Sequence, residues 1–281
     1  MLELEHEFRA LDCNARLLPD AARGERGGAE DLERELHQAG VVRAAAAPLA
    51  HGRQVGSGDG HDDRGYLRAN NAVARLSVDR PFLALARLNG PRDPRDTPAA
   101  RLRNVTASRA DHHASPADVE QFGYDDRFHG FLLAPARDGL PDAETLDALA
   151  ETDLPTLVRA GHGFPPSAAA AAVLDRGVRT ALLGFGGYPL DYDLMREGLA
   201  LLDEYDECYL ETGYVRHRDL LERGLREHPD RIVFGSGAPV SHPNVGVMEL
   251  LTLDVPEDAM RRAFTRNPAR LLPALDDQGQ P

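Results

Sequence analysis

Asp230-Arg231-Ile232-Val233-Phe234-Gly235-Ser236-Gly237-Ala238-Pro239-Val240 is an apolar strand that stops abruptly. Ile232 to Phe234 form the buried run, and Gly235 to Pro239 break it with small and turn-forming residues. A short strand opening into a glycine-rich mouth suits the C-terminal end of a barrel strand, the end where such barrels carry their chemistry. This mouth has no carboxylate, histidine or cysteine. Ser236 is the one candidate nucleophile in it. No His-Asp partner lies near in sequence, so a tight Gly-Ser-Gly turn is the simpler reading.

Working outward, short apolar strands alternate with helical patterns along the chain. Strands are expected at 8–13, 41–47, 81–88, 129–133, 155–159, 180–183, 208–211 and 232–234. Helices are expected at 30–40, 66–76, 142–151, 167–177, 192–205, 219–227 and 256–265, with a last one from Asn267-Pro268. Asp142, Ser167 and Asn267 read as N-caps. Eight such repeats in 281 residues predict an α/β fold, a single (β/α)8 TIM-type barrel over 1–281. Residues 89–127 break the rhythm with prolines, charges and His112-His113. They read as an irregular insertion after the third strand, with short helices lying over the mouth.

The 32 basic and 46 acidic residues give a net charge of −14, and every basic residue is arginine. An acidic, lysine-free chain suits a salt-rich cytoplasm and a GC-rich genome, as in a halophilic archaeon. At ~1 M salt the Debye length is about 3 Å, so self-repulsion is screened. A mesophile with biased codons is the alternative. Nucleic acid is excluded as main partner, because phosphate binding needs a basic patch. No apolar run reaches the ~20 residues that span a bilayer. The acidic start, Met1-Leu-Glu-Leu-Glu-His-Glu7, lacks the basic region of a secretory signal. A cytoplasmic protein is expected, with Cys13 and Cys208 as buried free thiols.

Five motifs in order carry a resemblance: Asp12-Cys13-Asn14-Ala15-Arg16, Pro155-Thr-Leu-Val-Arg159-Ala-Gly161, Gly184-Phe-Gly-Gly187, Phe234-Gly-Ser-Gly237-Ala-Pro239 and Asn267-Pro-Ala-Arg-Leu-Leu272. Together they resemble the amidohydrolase-related family of TIM-barrel, metal-dependent hydrolases and decarboxylases. The resemblance implies metal-binding histidines at the positions of Asn14, Arg16, Arg159 and Gly184, and a catalytic aspartate at that of Gly237. All five have changed type. Arginine has no lone pair to offer a metal. A metal-free member of the family is therefore expected, with no cofactor.

The candidates at the barrel mouth are Asp12, Asn14, Arg16, Arg159, His162, Glu211 and Ser236. Asp12, Asn14 and Arg16 share parity, so they can face the interior together. A metal site rebuilt from Cys13, His162, Glu211 or Asp12 is conceivable. So is loose metal binding at His61-Asp62-Asp63 or His112-His113. Core packing and solvated loops account for these residues more simply. Arg16 and Arg159 stand where the resemblance puts metal ligands. Either they neutralise Asp12 and Glu211 internally, or they bind a small anion such as a carboxylate or phosphate. Three functions stay open: a binding or regulatory protein, as a homodimer or paired with an active paralogue; a metal-independent hydrolase or lyase acting on a small anionic substrate; and a metal-dependent amidohydrolase with an atypical ligand set.

Overall fold

A computed structural model describes residues 6–19, 21, 27–49 and 65–276. Eight parallel strands form one sheet in chain order: β1 (Ala10–Leu17), β2 (Val41–Pro48), β3 (Phe82–Leu88), β4 (Phe128–Leu133), β5 (Thr156–Val158), β6 (Thr180–Leu182), β7 (Cys208–Glu211) and β8 (Ile232–Val233). The seam between first and last strands is made beyond the end of β8. Cys13 N donates to Phe234 O (2.9 Å), Gly237 N to Asn14 O (2.9 Å) and Arg16 N to Ala238 O (2.8 Å). The glycine-rich mouth is thus the sealing strip of a (β/α)8 barrel.

The apolar residues form two layers. One cluster takes residues from every strand, including Leu11, Ala45, Leu85, Leu132, Leu157, Ala181, Tyr209 and Val233, and so fills the lumen. Leu271, Leu272 and Leu275 join it from the C-terminal segment. That segment stops the end of the barrel where the strands begin, since Arg43 Nη1 donates to Ala274 O (2.7 Å) and Thr265 Oγ1 to Arg9 O (2.6 Å). The larger cluster lies between the strands and the helices. In β1, Leu11 and Cys13 belong to the lumen cluster but Ala15 and Leu17 to the outer one. The strand changes face at a register irregularity between Asp12 and Ala15. Strict alternation would put Asp12, Asn14 and Arg16 on one face, and the irregularity between Asp12 and Ala15 breaks that alternation. The irregularity turns Asn14 and Arg16 inward and leaves Asp12 at the seam.

The helices are α1 (Ala29–Gln38), α2 (Gly65–Ser77), α3 (Pro98–Thr106), α4 (Pro116–Tyr124), α5 (Pro135–Asp138), α6 (Ala143–Ala150), α7 (Pro166–Ala172), α8 (Tyr192–Glu204), α9 (Arg218–Glu227), α10 (Pro243–Leu251), α11 (Glu257–Arg261) and α12 (Asn267–Leu271). The irregular stretch 89–127 contains α4, which packs on α6 and β4 as the crossover helix to β4. Ser115 and Asp118 give α4 a capping box. Only the part before α4 approaches the mouth: Arg92 pairs with Leu140, and a Cβ on Gly163 would lie 3.5 Å from Arg95 Cγ.

Asp142 caps α6 through Thr145 N as expected. Ser167 does not cap α7. It sits inside the helix, and its N–H reaches Glu197 Oε1 at 2.7 Å. Asn267 is no cap either, because the chain is already helical from Glu257. Its Nδ2 donates instead to Pro229 O (2.8 Å) and Ile232 O (2.7 Å), tying the C-terminal helix to β8. α10 is apolar at most positions from Val245 to Leu251, so it lacks the periodicity that marks a helix in sequence.

Removing the amide of Asn267 strands two carbonyls at the foot of β8. Asn267→Ala is expected to cost about 1–3 kcal/mol of stability, measured by urea unfolding against the wild-type chain.

Candidate functional site

The mouth of the barrel places buried charge without ordinary ion pairing. Asp12, Asn14, Arg16, Glu211 and Ser236 are all buried, although lumen positions are normally apolar. Asp12 stitches the seam: its Oδ1 accepts from Asn14 N (2.8 Å) and Ser236 N (3.0 Å), and its Oδ2 from Ser236 Oγ (2.5 Å). Ser236 Oγ in turn accepts from Ala238 N (3.0 Å). Ser236 is thus held in the turn by Asp12 and Ala238, and among the described residues no histidine is hydrogen-bonded to its hydroxyl.

Glu211 ends β7 and points into the lumen, two residues beyond Tyr209. Its Oε2 accepts from Asn14 Nδ2 (3.0 Å) and Gly184 N (3.0 Å), and its Oε1 from Gly213 N (2.6 Å). A Cβ at Gly235 would overlap this carboxylate, so the glycine makes its room. Burial raises the Glu211 carboxyl to about 7, against the three hydrogen bonds, and the nearby Asp12 pushes it further the same way. Burial also raises Asp12.

Arg16 is 3% exposed. Its Nη1 donates to Ala15 O (2.8 Å), while its Nη2 is buried with no hydrogen-bond partner among the described residues. Burial, then repulsion from Arg159 and Arg87, lowers its guanidinium to about 9, so it remains charged at neutral pH. Arg87 is answered: Asp138 takes its Nε (2.8 Å) and Nη2 (3.0 Å), and Pro48 O takes its Nη1 (2.8 Å). Arg159 follows β5, half-buried, with its guanidinium carbon 4.6 Å from the Tyr188 ring centroid. Among the described residues neither Arg16 nor Arg159 has a carboxylate partner. The internal ion pairs expected with Asp12 and Glu211 are not formed, because backbone N–H groups, Ser236 and Asn14 already occupy those carboxylates.

Other candidates lie apart. His162 is exposed and faces Asp191 at 3.4 Å, away from the buried Cys13 and Glu211. Cys13 and Cys208 are free, buried thiols raised by burial. His112 and His113 meet at a tilt of 52°, with ring centroids 4.0 Å apart, in the stretch before α4. His61, Asp62 and Asp63 lie outside the described residues. Among the described residues no three His, Cys, Asp or Glu side chains are placed to hold a metal ion.

Sequence reasoning missed Arg87, Tyr188 and Tyr214. Arg87 had a signal: it is the lone charge in the apolar strand Phe82–Leu88. Tyr214 had none, since it enters through its backbone at φ 64°. Its hydroxyl donates to Gly237 O, and its ring fills the space a Cβ on Gly237 would need.

No protein-family model matches the chain, and no curated protein sequence matches it. Solved structures do share its fold. An uncharacterised TIM-barrel protein from Bordetella bronchiseptica is 16% identical with a TM-score of 0.64, over 95% of this chain and 99% of the other. A 2,6-dihydroxybenzoate decarboxylase from Rhizobium is 13% identical with a TM-score of 0.63, over 94% and 98%. A 5-carboxyvanillate decarboxylase from Novosphingobium aromaticivorans, complexed with manganese and 4-hydroxy-3-methoxy-5-nitrobenzoic acid, is 13% identical with a TM-score of 0.61, over 96% and 98%. A divalent cation of that kind does not fit the donors described in this mouth. Arg16 and Arg159 offer no lone pair, Gly184 and Gly237 offer no side chain, and the oxygens of Glu211 are already engaged.

The Glu211 shift has a readable consequence. Above its unfolded value of 4.5 the unfolded chain releases a proton that the folded chain keeps up to about 7. Stability contributed by this group is therefore full below pH 4.5 and falls as pH rises to about 7. Urea unfolding across this window should show the wild-type chain losing on the order of 3 kcal/mol more than Glu211→Gln.

Proposed function

We propose that the chain is an amidohydrolase-related barrel that binds a small oxyanion, a carboxylate or a phosphate, and carries out no metal chemistry. The observation that carries this reading is the buried Nη2 of Arg16, which has no hydrogen-bond partner among the described residues. A guanidinium in that position is costly unless an anion meets it. Arg16 would supply the deep N–H donor, and Arg159 the second cation nearer solvent. Out of bulk water such charge-assisted bonds are stronger and select for oxygen anions. The relatives in fold named above include decarboxylases whose names denote carboxylates, which agrees with an anion in the mouth. On this reading the protein is a ligand-binding homologue acting in a salt-rich cytoplasm, as a homodimer or beside an active paralogue.

A second reading, a metal-independent hydrolase or lyase, is favoured by one observation. Glu211 is buried at the same mouth and titrates near 7, the range suited to moving a proton at neutral pH.

Thermal melts at matched ionic strength test the first reading. Phosphate or acetate at ~100 times its Kd should stabilise by about 3 kcal/mol, raising Tm by several degrees. Arg16→Gln should abolish the response. Arg16→Leu should do the same while making the ligand-free protein about 1–3 kcal/mol more stable, because it removes an unpaired buried charge. Stoichiometric zinc or manganese in the purified protein, stripped by a chelator with loss of stability, would sink the reading. So would an Arg16→Gln protein that still responds to anions.

A further inference from the structure

The two arginines raise a physical difficulty. Like charges repel, and among the described residues no carboxylate is paired with either of them. A ligand-free protein should let both side chains swing towards water. Arg16 nevertheless stays buried, and the guanidinium carbon of Arg159 lies over an aromatic ring.

The residues holding them form one continuous chain. Tyr188 is fixed by its backbone to the segment that follows Arg159: its N–H donates to Ala160 O (3.3 Å), and its carbonyl accepts from His162 N (3.1 Å). Gly161, at φ 148°, permits this approach, because a Cβ there would overlap the Tyr188 backbone. The ring is therefore laid against Arg159 by the course of the main chain. Tyr188 is 37% exposed, so core packing does not explain an aromatic residue at this position. Its ring meets that of Tyr214 edge-on, with centroids 6.0 Å apart.

Tyr214 makes the second half. It adopts φ 64°, which is strained for a bulky side chain. In return its ring covers Gly237 and its hydroxyl holds the Gly237 carbonyl. Gly237 and Ala238 are the residues that bond the backbone of β1 at Asn14 and Arg16. Tyr214 thus clamps the strip that bonds β1, the strand from which Arg16 projects.

We propose that Tyr188 and Tyr214 are positioning residues of the oxyanion site, a bracket that holds the guanidinium groups of Arg159 and Arg16 in place before any anion arrives. The inference rests on the anion-binding reading above and adds how affinity is generated. The ordering of two long side chains is completed on folding, so binding does not have to supply it. The strain at Tyr214 is a standing cost of that preorganisation.

Calorimetric titration with inorganic phosphate tests it. Tyr188→Leu should weaken phosphate binding roughly threefold, the scale of a partly exposed cation–π contact. Its Tm should stay within roughly 2 °C of wild type, because the side chain lies at the surface. Tyr214→Phe keeps the ring and loses the hydroxyl, and should weaken binding roughly fivefold. Each effect should vanish in the background of its own arginine variant: Tyr188→Leu adds nothing to Arg159→Gln, and Tyr214→Phe adds nothing to Arg16→Lys, which keeps a cation and a measurable affinity while losing the guanidinium fork. A merely structural role would not produce that pairing. Wild-type affinity in both tyrosine variants overturns the bracket and leaves the anion site standing. So does a loss that persists in full beside the arginine variants. A wild-type protein that binds no phosphate, or binds it independently of Arg16, overturns both.

Discussion

Three backbone hydrogen bonds between β1 and the strip beyond β8 hold the rest of the molecule to its shape. β8 contributes only Ile232 and Val233 as regular strand, too little to close a barrel alone. Closure falls to Phe234, Gly237 and Ala238, bonded to Cys13, Asn14 and Arg16. The side chains of Asp12 and Ser236 reinforce the same seam, so a carboxylate in this position serves the fold first. The seam explains why the mouth is built from glycine, serine and alanine. Glu211 needs the space beside Gly235, and Tyr214 needs the space beside Gly237. A larger residue at either point would be met by an atom already there.

The same seam decides how charge is distributed. With Asp12 engaged by Ser236, and Glu211 by Asn14, Gly184 and Gly213, no described carboxylate is left for Arg16. Of Arg16, Arg87 and Arg159, Arg87 alone is neutralised among the described residues, by Asp138. A lumen can hold a charge when the charge is paired or when a ligand completes the pair. Asp138 takes the first course with Arg87, and the anion-binding reading proposed above assigns Arg16 the second. The helices, the lumen cluster and the C-terminal stopper are those of an ordinary barrel, so the departure is confined to one end.

Much of the fold is legible in the residues. Every strand reads from its apolar run, and the strip after Phe234 reads as a mouth because only turn-forming residues follow. Asp142 reads as a cap and performs as one. Ser167 and Asn267 carry the same local signal, yet neighbouring chain claims their polar groups for other bonds. α10 was illegible for the opposite reason, since apolar residues at most positions erase the period. At the mouth, Arg16 and Arg159 stood out because they occupy positions where the resemblance puts metal ligands, and arginine has no lone pair to offer a metal. Whether they pair with Asp12 and Glu211 could not be read from spacing. That outcome depends on which donors reach the carboxylates first in three dimensions. Strict alternation along β1 failed for a related reason: a register irregularity leaves no mark in residue type. Tyr214 enters the site by a backbone angle, which sequence does not display.

The two thiols lie in different layers of the barrel, and this gives the molecule a built-in reporter. Cys13 belongs to the lumen cluster and Cys208 to the layer between strands and helices. Both are fully enclosed and held in the unreactive thiol form. An alkylating reagent can reach Cys208 when helices lift from the barrel wall, but Cys13 only when the ring of strands itself parts. The order in which the two sulfurs are labelled therefore records which layer yields first as the protein breathes.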